Sequence, residues 1–151
     1  MLNLAKKILV AIDGSPQSDK AAEEAVRLAA GNPSRFKSTI YAMLVLPNSP
    51  NPTFADFIPK GPVTQTKEWE ELRQRLFYVI EKDAREMEIP LESRIAYGDP
   101  ADELIACALK EKIDVIVIGS SGKGFLKRNI QGSVSYKVVK NAPCSVYIVK
   151  G

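Results

Sequence analysis

The sequence predicts an α/β fold: a single open parallel five-stranded sheet with helices on both faces, Rossmann-like in outline. Three observations carry that expectation. Apolar runs rich in β-branched residues, such as "ILVAI" and "IDVIVIG", have the texture of strands covered on both faces. Segments with apolar positions at helical spacing lie between such runs, so the order reads β-α-β-α-β-α-β-α-β. Helix-start signals, serine or aspartate followed by proline, stand at two of the strand-to-helix junctions, in "DGSP" and "GDP". Right-handed crossovers leave few ways to wind such a sheet. Ligands of these sheets bind beyond the carboxyl ends of the strands, near the point where the winding reverses.

The first strand is expected over Lys6 to Ile12, an unbroken apolar run. It leads into "DGSP", where Ser15 suits an N-cap and Pro16 the first helical position. In "QSDKAAEEAVRLAAG", Ala21, Ala22, Ala25, Val26, Leu28 and Ala29 share one stripe, and Gly31 closes the helix. "STIYAMLVLP", from Ser38 to Pro47, reads as the second strand. Prolines at 47, 50, 52, 59 and 62 then forbid either periodic structure, so 47–63 reads as a long loop.

A helix is predicted over about Thr64 to Glu88, with apolar positions at Trp69, Leu72, Leu76, Val79, Ile80 and Ala84. Its early Glu68, Glu70 and Glu71 suit the helix dipole. "PLESRIAYG" is a third strand with Leu91, Ser93, Ile95 and Tyr97 on one side. "DPADELIACALKEK" is a helix capped by Asp99 with Pro100 at its first position, and "IDVIVIG" is the fourth strand. A glycine-rich loop, a helix over about Ser133 to Asn141 and a last strand "CSVYIVK" follow.

A length of 151 residues with 45% hydrophobic and 26% charged residues suits one domain over residues 1–151. A chain this long buries roughly 70% of its unfolded surface, so its core needs no covalent help. Cys107 and Cys144 lack metal-type spacing and read as small packed apolar side chains. The amino-terminal run "ILVAI" is too short for a signal segment and is broken by Asp13. Nothing approaches the ~18 apolar residues of a membrane span, so a cytoplasmic protein is expected, with no membrane partner. The net charge of +3 is too modest for a nucleic-acid binder. Its distribution is uneven: no acidic residue follows Asp114, whereas Lys123, Lys127, Arg128, Lys137, Lys140 and Lys150 do. A basic segment beginning at a glycine loop suits a small anion better than a polymer.

That loop, "IGSSGKGFLKRNIQGSVSYKVVKNAP", carries glycines at 119, 122, 124 and 132. A Walker A loop requires a hydroxyl after its lysine, and Lys123 is followed by Gly124. The dinucleotide fingerprint fails as well, because Lys127 stands where its third glycine belongs. Gly119 ends a buried strand, and Gly132 and Ser133 open the next helix, whose free N–H groups and dipole form a site suited to phosphate. An ordinary capped helix behind a flexible loop accounts for the same residues, so the two readings stand level here.

Beyond the loop, "KKILVAIDGSPQSDKAAEEAVRLA", "GDPADELIACALKEKIDVIVIGSSG" and "GSVSYKVVKNAPCSVYIVK" resemble the universal stress protein family from end to end. That resemblance implies a sheet like that of the adenine nucleotide alpha hydrolases. Nucleotide-binding members carry G-x2-G-x9-G-[ST], which Gly119, Gly122, Gly132 and Ser133 satisfy. It implies ATP, with Mg2+, as the ligand. The phosphates and ribose would lie on Gly119, Gly122, Gly132, Ser133, Val134 and Ser135. Adenine would pack near Ala11, Ile12 and Asp13, with Val45 opposite and Ile118 lining the pocket; Ser15 and Lys123 join this set. Asp13 would bond the base or the ribose, its alternative role being to cap the following helix. The chain departs from the common family pattern at Ser121, where Arg or His is frequent, and at Leu44, where His is frequent.

The resemblance implies an ATP-binding stress-response or signalling module with little or no turnover, and a homodimer joined through the last strand, Ser145 to Lys150. A slow ATPase or a nucleotidyl or phosphoryl transferase in the same pocket is the alternative. The chain has no histidine, which removes the commonest general base. Asp13 with Ser15 or Ser133 is the only set of groups left to position water.

Overall fold

Strand β1 (Lys7–Ala11) forms on an apolar run, and its Ile8, Leu9 and Val10 are completely buried. A computed structural model of the chain describes residues 5–31, 38–46, 67–120 and 133–150, without the side chains of residues 68, 69 and 133. After β1 come α1 (Pro16–Ala30), β2 (Thr39–Leu46), α2 (Lys67–Leu76), α3 (Tyr78–Glu86) and β3 (Leu91–Tyr97). The rest is α4 (Pro100–Glu111), β4 (Val115–Gly119), α5 (Ser133–Asn141) and β5 (Ser145–Val149). The proline-rich segment 47–63 lies outside the described residues.

The strands form one parallel sheet, as the alternation of elements predicts, and its order is β3-β2-β1-β4-β5. β1 sits at the centre, with Leu9 opposite Tyr41 of β2 and Ile116 of β4. Side chains alternate between two cores. On one face Ile8, Val10, Ile40, Leu44 and Val117 meet Ala21, Ala22, Ala25 and Val26 of α1, with Leu72 of α2 and Ile80 of α3. The alanines leave α1 little side-chain bulk between its axis and the sheet. On the other face Leu9, Tyr41, Met43, Ile116 and Ile118 meet Ala101, Leu104, Cys107 and Ala108 of α4 and Val138 of α5. Cys107 is buried and Cys144 half-buried, both as free thiols held protonated by burial.

Ser15 and Asp99 cap α1 and α4 as expected, accepting from the N–H of Ser18 at 3.1 Å and of Asp102 at 3.0 Å. Gly31 closes α1 in a right-handed conformation, whereas the left-handed cap occurs at Lys112 after α4.

The single helix predicted over about Thr64 to Glu88 is instead two, α2 and α3, meeting at Phe77. Main-chain bonds from Phe77 N–H to Arg73 and from Glu81 N–H to Phe77 persist at 2.8 and 2.9 Å, so the junction is a kink and not a loop. Phe77 itself takes φ −102° and ψ 6° and is fully buried. The bend lets the ring join the core beside α1, a demand that helical periodicity does not encode.

Candidate functional site

The winding reverses between β1 and β4: β2 and β3 build outward on one side of β1, and after α4 the chain returns to its other side. Neighbouring loops that leave in opposite directions open a crevice at the carboxyl edge. A cleft of about 330 Å³ occupies it, within the ~300–1,000 Å³ typical of small-molecule sites. Its floor is apolar, made by Ala11, Met43, Val45 and Ile118 from three strands. Pro100 and Leu104 of α4 form one wall, Val134 and Ser135 of α5 another. Ile12, Asp13, Ser15, Gln17 and Ser18 close it from the β1–α1 turn, and Ser120 and Gly119 from the end of β4.

The β1–α1 turn is held by its own short polar side chains. Asp13 Oδ1 accepts from Ser15 N–H at 2.8 Å, and Ser18 Oγ accepts from Asp13 N–H at 3.3 Å. Ser15 Oγ in turn accepts from Ser18 N–H, which closes the circuit. Gly14 stands in the left-handed region at φ +81°, and a β-carbon there would lie 2.6 Å from Leu76 Cδ2. The helix cap is thus Ser15, while Asp13 steadies the turn through one oxygen. Its Oδ2 takes no hydrogen bond among the described residues. Burial raises the Asp19 pKa, assisted by the charges of Glu23 and Asp13.

Residues of β2 turn their main-chain groups alternately to β1 and to β3. Thr39 N–H donates to Lys6 and Met43 carbonyl accepts from Ile12 N–H at 2.8 Å, both toward β1, whereas Ile40 and Leu46 bond on the β3 side. Val45 therefore presents its N–H and C=O toward the β1 side, where the pairing of β1 with β2 has already stopped at Ala11 opposite Met43.

The α4 and α5 walls are tied at their start. Lys137 Nζ donates to Asp99 Oδ2 at 3.2 Å and lies 2.7 Å from Asp102 Oδ1. The Asp102 N–H and then Lys137 hold the Asp99 carboxyl below its usual range, and the two carboxylates raise the Lys137 pKa. This lysine is accordingly committed to α4.

Of the residues expected at a site, Ala11, Ile12, Asp13, Ser15, Val45, Ile118, Gly119, Val134 and Ser135 converge on this cleft. Ser133 begins α5, but its side chain is not among those described. Ser121, Gly122, Lys123 and Gly132 lie outside the described residues. Leu44, on the opposite face of β2 from Met43 and Val45, belongs to the α1 core. Sequence reasoning missed Gln17, Ser18, Met43, Pro100, Leu104 and Ser120. Met43 was within reach, because it precedes Val45 by one strand period. Nothing local marks Gln17.

The sequence pattern of the universal stress protein family matches residues 5–150. The chain belongs to that family. A universal stress protein of Methanocaldococcus jannaschii is 36% identical over 149 residues, covering 98% of this chain and 84% of the relative. Among solved structures, a universal stress protein family member from Arabidopsis thaliana with AMP bound has a TM-score of 0.63 at 20% identity, covering 96% of this chain and 95% of its own. A universal stress protein from Archaeoglobus fulgidus in complex with dAMP has a TM-score of 0.63 at 20% identity, covering 97% and 99%. This universal stress protein domain has no metal-ready cluster of three or more acidic or cysteine side chains among its described residues. None of its described helices is long and apolar enough to cross a membrane.

Proposed function

We propose that the cleft takes an adenine nucleotide, ATP with Mg2+, and that the bound nucleotide sets the conformation or partners of a stress-response or signalling module with little or no turnover. One observation carries this reading: a largely apolar cleft at the winding reversal is bordered by Val45, whose main-chain N–H and C=O turn toward the β1 side, and by the first turn of α5. A purine has two apolar faces and an edge of alternating donors and acceptors, which suits an apolar cleft beside the β1-facing main-chain groups of Val45, beyond the last β1–β2 pair. The exposed N–H groups and positive dipole at the start of α5 suit phosphate. Mg2+ would arrive on the phosphate oxygens, since it keeps most of its water and takes few protein ligands.

A homodimer through β5 completes the reading. The two edges of the sheet differ in character. β3 is shielded by Arg94, which pairs with Glu92 and Glu111 and lies over the Tyr41 ring. Charges placed in this way discourage pairing along an edge. β5 carries no charge from Ser145 to Val149 and turns the main-chain groups of Val146 and Ile148 outward.

Thermal unfolding with and without Mg-ATP tests the ligand. At a hundredfold excess over Kd, binding adds about 2.7 kcal/mol, a rise of about 5–10 °C for a domain of this size. An unchanged Tm at millimolar Mg-ATP, in protein shown by mass spectrometry to carry no nucleotide, overturns the proposal.

A further inference from the structure

We propose that Gln17 reads the sugar of the bound nucleotide, its amide pairing with the ribose 2′-hydroxyl so that ribonucleotides bind better than 2′-deoxyribonucleotides; this rests on the nucleotide reading of the same cleft. Gln17 is the second residue of α1 and its place is closely determined. Its Cβ lies 3.0 Å, and its carbonyl oxygen 2.6 Å, from the point a β-carbon on Gly119 would occupy. The first turn of α1 is thereby seated on the end of β4, and Gln17 lines the cleft together with Asp13 and Gly119. The amide makes no hydrogen bond among the described residues. Its neighbours Ser15 and Ser18, by contrast, spend their hydroxyls within the turn.

The chemistry of this rim favours a sugar over a base edge or a phosphate. Asp13 Oδ2 offers only an acceptor, and the Gln17 amide offers both donor and acceptor. A cis-diol presents two O–H donors, each oxygen also accepting, and a carboxylate and an amide on one rim complement it. A phosphate would be repelled by Asp13. A base lies more favourably on the apolar floor of Met43, Val45 and Ile118.

Calorimetric titration of ATP and 2′-deoxy-ATP into the wild-type protein and into Gln17→Leu tests the assignment. Leucine keeps the bulk of the side chain and removes both polar groups. The wild type should prefer ATP by roughly three- to tenfold, the worth of one neutral hydrogen bond. In Gln17→Leu that ratio should fall to about one while 2′-deoxy-ATP affinity is retained, which also certifies the fold. A ratio unchanged by the substitution, or no preference in the wild type, overturns the role of Gln17 and leaves the nucleotide reading standing. Wild-type protein that binds neither nucleotide overturns both. Should Gln17→Leu bind neither, Gln17→Met supplies the second test, and a ratio like that of the wild type there overturns the role.

Discussion

The carbonyl oxygen of Gln17 lies 2.6 Å from where a β-carbon on Gly119 would sit. The glycine that ends β4 is thus required by the protein's own backbone, independently of any ligand, because α1 begins directly against it. Gly119→Ala should cost about 1–3 kcal/mol through overpacking, lowering Tm by several degrees in a scanning calorimeter. Gly31→Ala provides the contrast: its added carbon would stand 3.5 Å from the Arg27 carbonyl in an ordinary backbone conformation. That variant should be neutral or slightly stabilising. Equal Tm values for Gly119→Ala and the wild type would refute the close approach.

Phe77 unites the kink between α2 and α3 with the α1 core, and it is fully buried. Phe77→Ala should destabilise the fold by about 3–5 kcal/mol, read as a lower midpoint in urea unfolding. A loss below ~1 kcal/mol would mean that the ring does not hold the kink in place.

The link between Lys137 and the start of α4 has a definite pH window. The Asp99 pKa is lowered in the fold, so its contribution is present above the ordinary carboxyl value and is lost as pH falls through the folded value. The Lys137 pKa is raised, so its contribution is present below the ordinary lysine value and is lost as pH rises through the folded one. Between about pH 5 and 9 both act. Lys137→Met should therefore lie below wild type in stability at pH 7 and converge with it as pH drops toward 3. Its side chain is half exposed, so added salt should also narrow the gap. A difference independent of both pH and salt would assign the effect to packing instead.

Outward-facing N–H groups on β5 belong to Val146 and Ile148, because Val149 bonds inward, accepting from Ser120 N–H at 2.7 Å. Ile148→Pro removes one outward donor while leaving the ladder to β4 its bonds, a placement that edge strands tolerate. Sedimentation velocity should show a dimer for the wild type and a monomer for this variant. A variant that remains dimeric would place the interface elsewhere.

The elements themselves were legible because their signals are local. Strand β1 and strand β4 follow from unbroken β-branched runs, α1 from its alanine stripe, and the caps Ser15 and Asp99 from residue type and the proline that follows each. The loops after β1 and β4 were legible as places to look, since ligands of such sheets bind beyond the carboxyl ends of the strands, whereas the adjacency of β1 and β4 comes from the strand order itself. The sequence by itself thereby determined a parallel sheet, the edge that carries the cleft and, with the family resemblance, nine of its fifteen lining residues.

Only the tertiary structure decided what faces that edge. Pro100 and Leu104 enter from α4, Gln17 turns beside Gly119, and Lys137 is claimed by Asp99 and Asp102 instead of standing free as an anion's counter-charge. The helix kink at Phe77 belongs with these, since the ring bends the chain to reach a core assembled from distant segments. The physical reason is common to all of them. Periodicity and capping report how a residue meets its neighbours within a few positions, whereas the approach of α1 to β4, or of α4 to α5, is set by packing between segments roughly 40–100 residues apart, a separation beyond the reach of local patterning.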